Sequence, residues 1–268
     1  MTNRPNESGE LPRIGIIIPA CDEEPCIGAV LEELLRVLDA GKYTIAVGVN
    51  GSSDRTAEVA RRFPVVVAET EARGYGHGCM AAIEALRREL PTVAAYVFFA
   101  ADGASDPRDV RALVAAFERG SDFVLGSRTA MRSNWHAMTL SHVVANFALG
   151  MWCTLLTGRW TSDLPPLRLI ESRLFDAMQL RELTYGWTIE SQIAAARRGA
   201  SVSQLSARER PRIAGEQKVS GVSWRRTFSI GCRIVAAGWR ARTRFASDVR
   251  QLPPRCAPEL LPQSQTTT

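Results

Sequence analysis

The sequence predicts one α/β domain, a mainly parallel sheet with helices on both faces. Three observations lead there. Short runs rich in isoleucine and valine alternate with segments whose apolar residues recur at helical spacing. Acidic, glycine-rich and asparagine-bearing turns fall directly after the runs, where open sheets of this kind place their ligand crevice. At 46% hydrophobic and 23% charged, the 268-residue chain has the composition of a globular protein rather than a disordered or polytopic one.

The elements follow in order. RIGIIIP at 13–19 is a buried strand closed by proline, and Ile27, Val30, Leu31, Leu34, Leu35 and Leu38 mark a helix over 26–38. Strand 43–49 leads to helix 54–63, strand 64–68 to helix 78–90, strand 95–100 to helix 107–119, and strand 122–125 closes the series. Such alternation is what a sheet buried on both faces requires. Residues 134–158 carry no charged side chain. Their two histidines, asparagine and hydroxyl residues argue for a helix packed on the body or lying in a bilayer interface rather than a full membrane span. A helix at 188–198, a strand at 201–206, a polar loop at 208–221 and a basic helix from 222 to about 245 follow. Residues 1–12 read as a flexible lead, 13–221 as the folded domain, 222–250 as the basic amphipathic segment and 251–268 as a disordered tail.

Charge is unevenly placed. Between Arg197 and Arg255 there are 14 basic against 3 acidic residues, although the whole chain is only +5. A basic C-terminal quarter on an otherwise acidic body suggests an anionic partner, phosphate or a lipid surface. Nucleic acid is not expected, because no nucleic-acid-binding motif accompanies the charge. Six cysteines without CxxC spacing or a preceding signal peptide suggest free thiols and a cytoplasmic protein.

Three segments could carry chemistry. Asp102 follows a strand and lies too far upstream to cap the helix beginning at Pro107, so it is a candidate ligand of a hard divalent cation, whereas Asp106 stands equally for a ligand and for a plain N-cap. The segment Arg73, Gly74, Tyr75, Gly76, His77, Gly78 opens a helix and can bring backbone amides to a phosphate, though an ordinary turn is the commoner meaning of such glycines. Arg212 and Lys218, one of only two lysines, suit anionic oxygens.

Taken together, IIIPACDEEPCIGAVLEELL, VNGSSDRTAEVA, RGYGHGC, FFAADGASDP, VLGSR, SDLPPLRLI, YGWTIESQIAAARRG and GEQKVSG resemble, in order and over about three-quarters of the chain, the family 2 glycosyltransferases of GT-A fold, dolichyl-phosphate mannose synthase-like branch. The resemblance implies an inverting transferase acting from a nucleotide-sugar donor onto a polyprenyl phosphate or another membrane-proximal acceptor. By it Pro19, Glu23, Asn50 and Asp54 contact the nucleotide, Arg73, Gly74 and Gly76 border the diphosphate, and Arg212 and Lys218 close over the donor. Asp102 matches the second acid of the Asp-x-Asp motif that holds Mg²⁺ or Mn²⁺, Arg128 the arginine that meets an acceptor phosphate, and Asp163 and Glu190 acids beside the sugar. A hydroxyl acceptor would need Asp163 or Glu190 as base, whereas an ionised phosphate would not.

The chain departs from the pattern at Ala100, in place of the first acid of Asp-x-Asp, and at Val49, Asp22 and Gln217. Fewer metal carboxylates weaken a cation site, although donor phosphates and waters can complete a magnesium shell. The alternative reading is therefore a weakened scaffold that binds a nucleotide sugar or lipid phosphate without turnover. The C-terminal segment, with Trp224, Phe228, Trp239 and interspersed arginines, is expected either to pack on the body or to touch the cytoplasmic face of a membrane.

Overall fold

The computed structural model describes residues 13–131, 134, 140–215 and 224–246. The expected lead at 1–12, the tail at 251–268 and Lys218 lie outside the described residues. Seven strands form one sheet in the order β3-β2-β1-β4-β6-β5-β7. They are β1 (Arg13–Ala20), β2 (Tyr43–Asn50), β3 (Val66–Thr70), β4 (Val93–Phe98), β5 (Phe123–Ser127), β6 (Arg168–Glu171) and β7 (Val202–Ser206). All neighbours run parallel except β6, which lies antiparallel between β4 and β5.

Both faces of the central strands are buried, and the alternation of side chains along them divides the core in two. On β1, Ile14, Ile16 and Ile18 enter one cluster and Ile17 the other; on β4, Ala95 and Val97 oppose Tyr96 and Phe98. The helices α1 (Glu24–Val37) and α4 (Pro107–Glu118) cover the first face. The second is covered by α3 (Tyr75–Glu89), α5 (Leu140–Thr157), α6 (Ser172–Met178), α7 (Trp187–Arg197) and α8 (Trp224–Ala246), while the short α2 (Thr56–Ala60) lies beside α1.

Sequence and structure differ at several places: α2 is shorter than the expected 54–63, β3 and β4 are shifted by two residues from 64–68 and 95–100, and α6 forms where no helix is expected. Three further differences have a visible cause. Helix α1 begins two residues before its expected start, because Pro25 suits the first helical turn. Helix α3 begins at Tyr75 rather than 78, so the glycine-rich segment is its first turn and not only a loop. The cause is close approach: a Cβ on Gly48 of β2 would lie 1.9 Å from the Gly78 carbonyl oxygen of α3. Gly48→Ala is accordingly expected to destabilise by about 3 kcal/mol, the upper range of overpacking, as a lowered denaturant midpoint would register. The third difference is β6, whose four residues stand too close to the prolines at 165 and 166 for a run of apolar residues to signal it.

Helix α5 occupies the uncharged stretch expected to pack on the body or lie in an interface, and Cys153 and Leu156 seat it on the core. Among the described residues no helix is long and apolar enough to cross a membrane.

Candidate active site

The carboxyl ends of β1, β2, β4 and β5, together with the segment after β7, place polar residues around one edge of the sheet. After β1, Asp22 takes a left-handed conformation (φ 51°), which aspartate tolerates better than most residues. Its Oδ1 accepts the Ser53 amide at 2.6 Å, and its own amide donates to Ser52 Oγ at 2.9 Å. The β1 loop is thus tied to the β2 loop. Asp54 makes a second tie, accepting the Glu24 amide at 2.9 Å and the Thr56 amide at 3.0 Å. Burial works against its ionised form, but the hydrogen bond from the Thr56 hydroxyl, with these two amides, holds the carboxyl below its usual range. Asp54 therefore acts first on the loop's shape.

Asn50 is buried at the end of β2. A Cβ on Gly78 would meet both Asn50 Oδ1, at 2.6 Å, and Pro19, at 2.9 Å. Pro19, Asn50 and the start of α3 are therefore neighbours. Arg73 Nε donates to the Gly51 carbonyl at 3.2 Å, and the Gly76 amide to Leu183 at 3.0 Å. Gly74, at φ 147°, and Gly76 have no room for a side chain beside Leu183 and Trp187. The glycines thus have a packing reason as well as the expected ligand-facing one.

Asp102 lies in the turn after β4 with its side chain 29% exposed. Its Oδ1 accepts the Ala104 amide at 3.1 Å, and Oδ2 stands 3.5 Å from Arg212 Nη1. The other arm of the Arg212 fork pairs with Glu23. The segment after β7 is laid against the Asp102 turn: the Arg210 amide donates to Ala104 at 2.8 Å and the Ile213 amide to Asp102 at 3.0 Å, and Ser105 and Glu209 form an antiparallel bridge. Its alternate arginines are each met by an acid of the body, Arg208 by Asp109 at 2.8 Å, Arg210 by Glu33 at 2.9 Å and Arg212 by Glu23 and Asp102. Asp106 proves to be the N-cap of α4, accepting the Arg108 amide at 2.9 Å. Hydrogen bonds from Arg108 are the main reason its carboxyl is held low, and these outweigh its burial.

Beyond Asp102 lies a second cluster. Arg128, at the end of β5, donates from Nε to Asp163 Oδ2 at 3.1 Å, and its Nη1 stands 3.6 Å from Glu209 Oε1. Asp163 is 1% exposed, and its Oδ1 has no hydrogen-bond partner among the described residues. Asn134 ties the cluster together, donating to the carbonyls of Arg128 and Ala207 and accepting the Glu209 amide at 3.1 Å. Burial raises the Glu209 carboxyl to about 7, with Asp102 and Asp163 adding to the rise and Arg128 opposing it. Sequence reasoning missed this residue; the signal it offered was an acid between two arginines in a basic segment.

Glu190 stands apart. Its Oε2 accepts the amides of Arg181 and Glu182 at 3.0 and 2.8 Å, and its Oε1 pairs with Arg244 of α8 at 2.8 Å. Both oxygens are committed to holding α7, the 181–182 turn and α8 together.

For a cation, the described residues contain no group of three or more potential side-chain ligands. What the site does offer is one carboxylate at a strand end, part exposed, beside a guanidinium. That set fits a hard divalent ion whose other ligands are phosphate oxygens and water.

Residues 15–205 match the model of the family described as "Glycosyl transferase family 2". The chain belongs to this family. Uncharacterized glycosyltransferases of Mycobacterium tuberculosis and Mycobacterium bovis are 30% identical to this glycosyltransferase over 212 residues, 78% of this chain and 90% of theirs. A dolichyl-phosphate hexose transferase of Haloferax volcanii is 28% identical over 207 residues, 77% of this chain and 86% of its own. Among solved structures, glucosyl-3-phosphoglycerate synthase from Mycobacterium tuberculosis, in complex with Mn²⁺, UDP-glucose and phosphoglyceric acid, superposes with a TM-score of 0.63 at 17% identity. It covers 90% of this chain and 82% of its own, and supports the GT-A fold.

Proposed function

We propose that this glycosyltransferase moves a sugar, with inversion at the anomeric carbon, from a nucleotide-sugar donor to a polyprenyl phosphate at the cytoplasmic face of a membrane. The observation that carries the donor half is the meeting of Glu23, Asp102 and Arg212 at the ends of β1, β4 and β7. A departing diphosphate needs a fixed positive partner, and Arg212 supplies a planar fork there. Asp102 would hold a divalent cation, which when bound neutralises charge on the leaving group. Pro19, Asn50 and the start of α3 would form the wall on which the nucleotide lies, with Arg73 tied to the Gly51 carbonyl beside it. On the acceptor side Arg128 meets the phosphate, whose oxygen is already ionised and needs no base. Asp163 orients Arg128, and Glu190 fixes the supporting helices rather than touching substrate.

The membrane half rests on an exposed apolar stripe. Val144, Phe147 and Leu155 follow one another along one face of α5 and are 60%, 51% and 66% exposed; Trp160 stacks edge-on to Phe147, and on α8 Val235 and Trp239 are exposed as well. Arg242 bridges the two helices through the Leu155 carbonyl, and α8 carries no acid. Aromatic and aliphatic side chains flanked by arginine suit an anionic leaflet, where each cation contributes about 1 kcal/mol. The haloarchaeal relative's name supports the choice of acceptor.

The test of the whole reading is incubation with a panel of nucleotide sugars, Mg²⁺ or Mn²⁺ and polyprenyl phosphate in mixed micelles, followed by extraction of lipid-linked sugar. Product confined to the water phase would overturn the acceptor. Separately, the protein is expected to co-sediment with vesicles containing phosphatidylserine but not with pure phosphatidylcholine, and Leu155→Ser with Trp239→Ser should weaken this about tenfold or more. Equal sedimentation of wild type and double variant would remove the stripe from the contact.

A further inference from the structure

We propose that Glu209 sets the access of the acceptor phosphate to Arg128, competing with it for the guanidinium when ionised and admitting it when protonated. The inference rests on the acceptor reading above and adds to it a residue that neither the sequence pattern nor any motif assigns.

The geometry forces the competition. In the extended segment after β7 successive side chains point to opposite sides. Arg208 and Arg210 turn to Asp109 and Glu33, at 2.8 and 2.9 Å, so the intervening Glu209 turns the other way, towards Arg128. Its backbone has no freedom to retreat, because its amide donates to Asn134 and Ser105 pairs with it across the bridge. Arg128 therefore faces two carboxylates. Asp163 takes the Arg128 backbone amide and Nε through one oxygen, at 3.3 and 3.1 Å, and is sealed from solvent. Glu209 faces Nη1 at the longer distance of 3.6 Å, with its side chain 12% exposed. The inner acid neutralises the guanidinium and holds it in place; the outer one stands where a phosphate would approach.

With both acids ionised the trio carries a net negative charge and repels a phosphate. With Glu209 neutral the trio is balanced, and a carboxylic acid can donate a hydrogen bond to the phosphate beside Arg128. Burial acts most on the Glu209 carboxyl, raising it to about 7 against the pull of Arg128, with Asp102 and Asp163 adding lesser parts, of which that of Asp102 is lost when it holds a cation. Because that value is raised, the admitting form prevails below it and is lost as the pH rises through it. A phosphomonoester loses its second proton near pH 6, so the range from about 7 to 8.5 isolates Glu209.

The experiment is the KM for polyprenyl phosphate across that range, with wild type, Glu209→Gln and Glu209→Ala, each checked for an unchanged melting temperature. Inorganic phosphate is titrated as a competitor in parallel. Wild-type KM should rise about tenfold with pH. Both variants should flatten the profile and give about tenfold lower KM at the alkaline end, with kcat little changed. Competition by inorganic phosphate with the same pH dependence would make the site one for any phosphomonoester; its absence would make the lipid part of the ligand, and either accords with the proposal. A merely structural Glu209 would not improve KM on removal. A flat wild-type KM, or variants that lose kcat at every pH as removal of a base would cause, overturns this inference alone. No lipid-linked product from wild type at any pH overturns the acceptor reading and this inference with it.

Discussion

Replacing Asp102 with asparagine is expected to cut sugar transfer about 10³-fold while leaving the melting temperature of the unliganded protein close to that of wild type. The first half follows from charge. The asparagine amide keeps a carbonyl oxygen for the Ala104 amide but loses the carboxylate that faces Arg212 at 3.5 Å and that would hold a cation beside the diphosphate. Removing one preorganised electrostatic partner of a developing charge costs about 10²–10³ in rate, and here a cation ligand goes with it. The second half follows from exposure, because a side chain 29% exposed gives up little when its charge is removed. Steady-state assay at saturating Mg²⁺ or Mn²⁺ together with a thermal melt separates the two. A rate within a few-fold of wild type would place Asp102 outside the chemistry.

The second large effect is on stability. Asp163→Ala should lower stability by about 3 kcal/mol and the melting temperature by on the order of 10 °C. Asp163 is sealed beneath Arg128, and its removal leaves that guanidinium, among the described residues, with Glu209 at 3.6 Å as its remaining acid. Breaking a buried pair from one side costs more than the pair is worth intact, because the remaining charge stays desolvated. Arg128→Met reaches the same loss from the other side, leaving Asp163 buried without a cation. The double change Arg128→Met with Asp163→Leu should recover part of the stability lost by either single change. A double variant no better than the sum of the singles would argue that the two residues do not act as a pair.

How much of this was legible in the sequence depends on the kind of residue. Strands β1 and β4 were legible because burial on both faces demands unbroken apolar runs, and α1 because its leucines recur at helical spacing. The start of α3 was obscured by Gly76 and Gly78, poor helix formers whose presence is explained by the approach of β2 and the 183–187 segment, which sequence does not display. The antiparallel β6 gave no signal because four residues beside prolines carry no usable period. At the site, Glu23 and Asp102, which the resemblance assigns to the nucleotide and the metal, both contact Arg212, across 189 and 110 residues of separation that the sequence does not display as proximity. Asp106 resolved to its plainer role as a helix cap. Glu190 was expected beside the sugar, yet its carboxylate is taken up by two amides and Arg244, partners that lie in a neighbouring turn and in α8. Glu209 was not legible at all. Its environment exists only once Ser105, Arg128 and Asn134 have been folded around it.

With Ala100 in place of the first motif acid, the proposed cation role rests on Asp102 as the one carboxylate of that motif. Calorimetric titration of a panel of nucleoside diphosphates, with and without Mn²⁺, onto wild type and Asp102→Asn examines this directly. The proposed site predicts that Mn²⁺ tightens binding of the preferred nucleoside diphosphate to wild type by about tenfold or more and has no such effect on Asp102→Asn, while metal-free binding to the two proteins stays alike. An equal response to Mn²⁺ in both would contradict it.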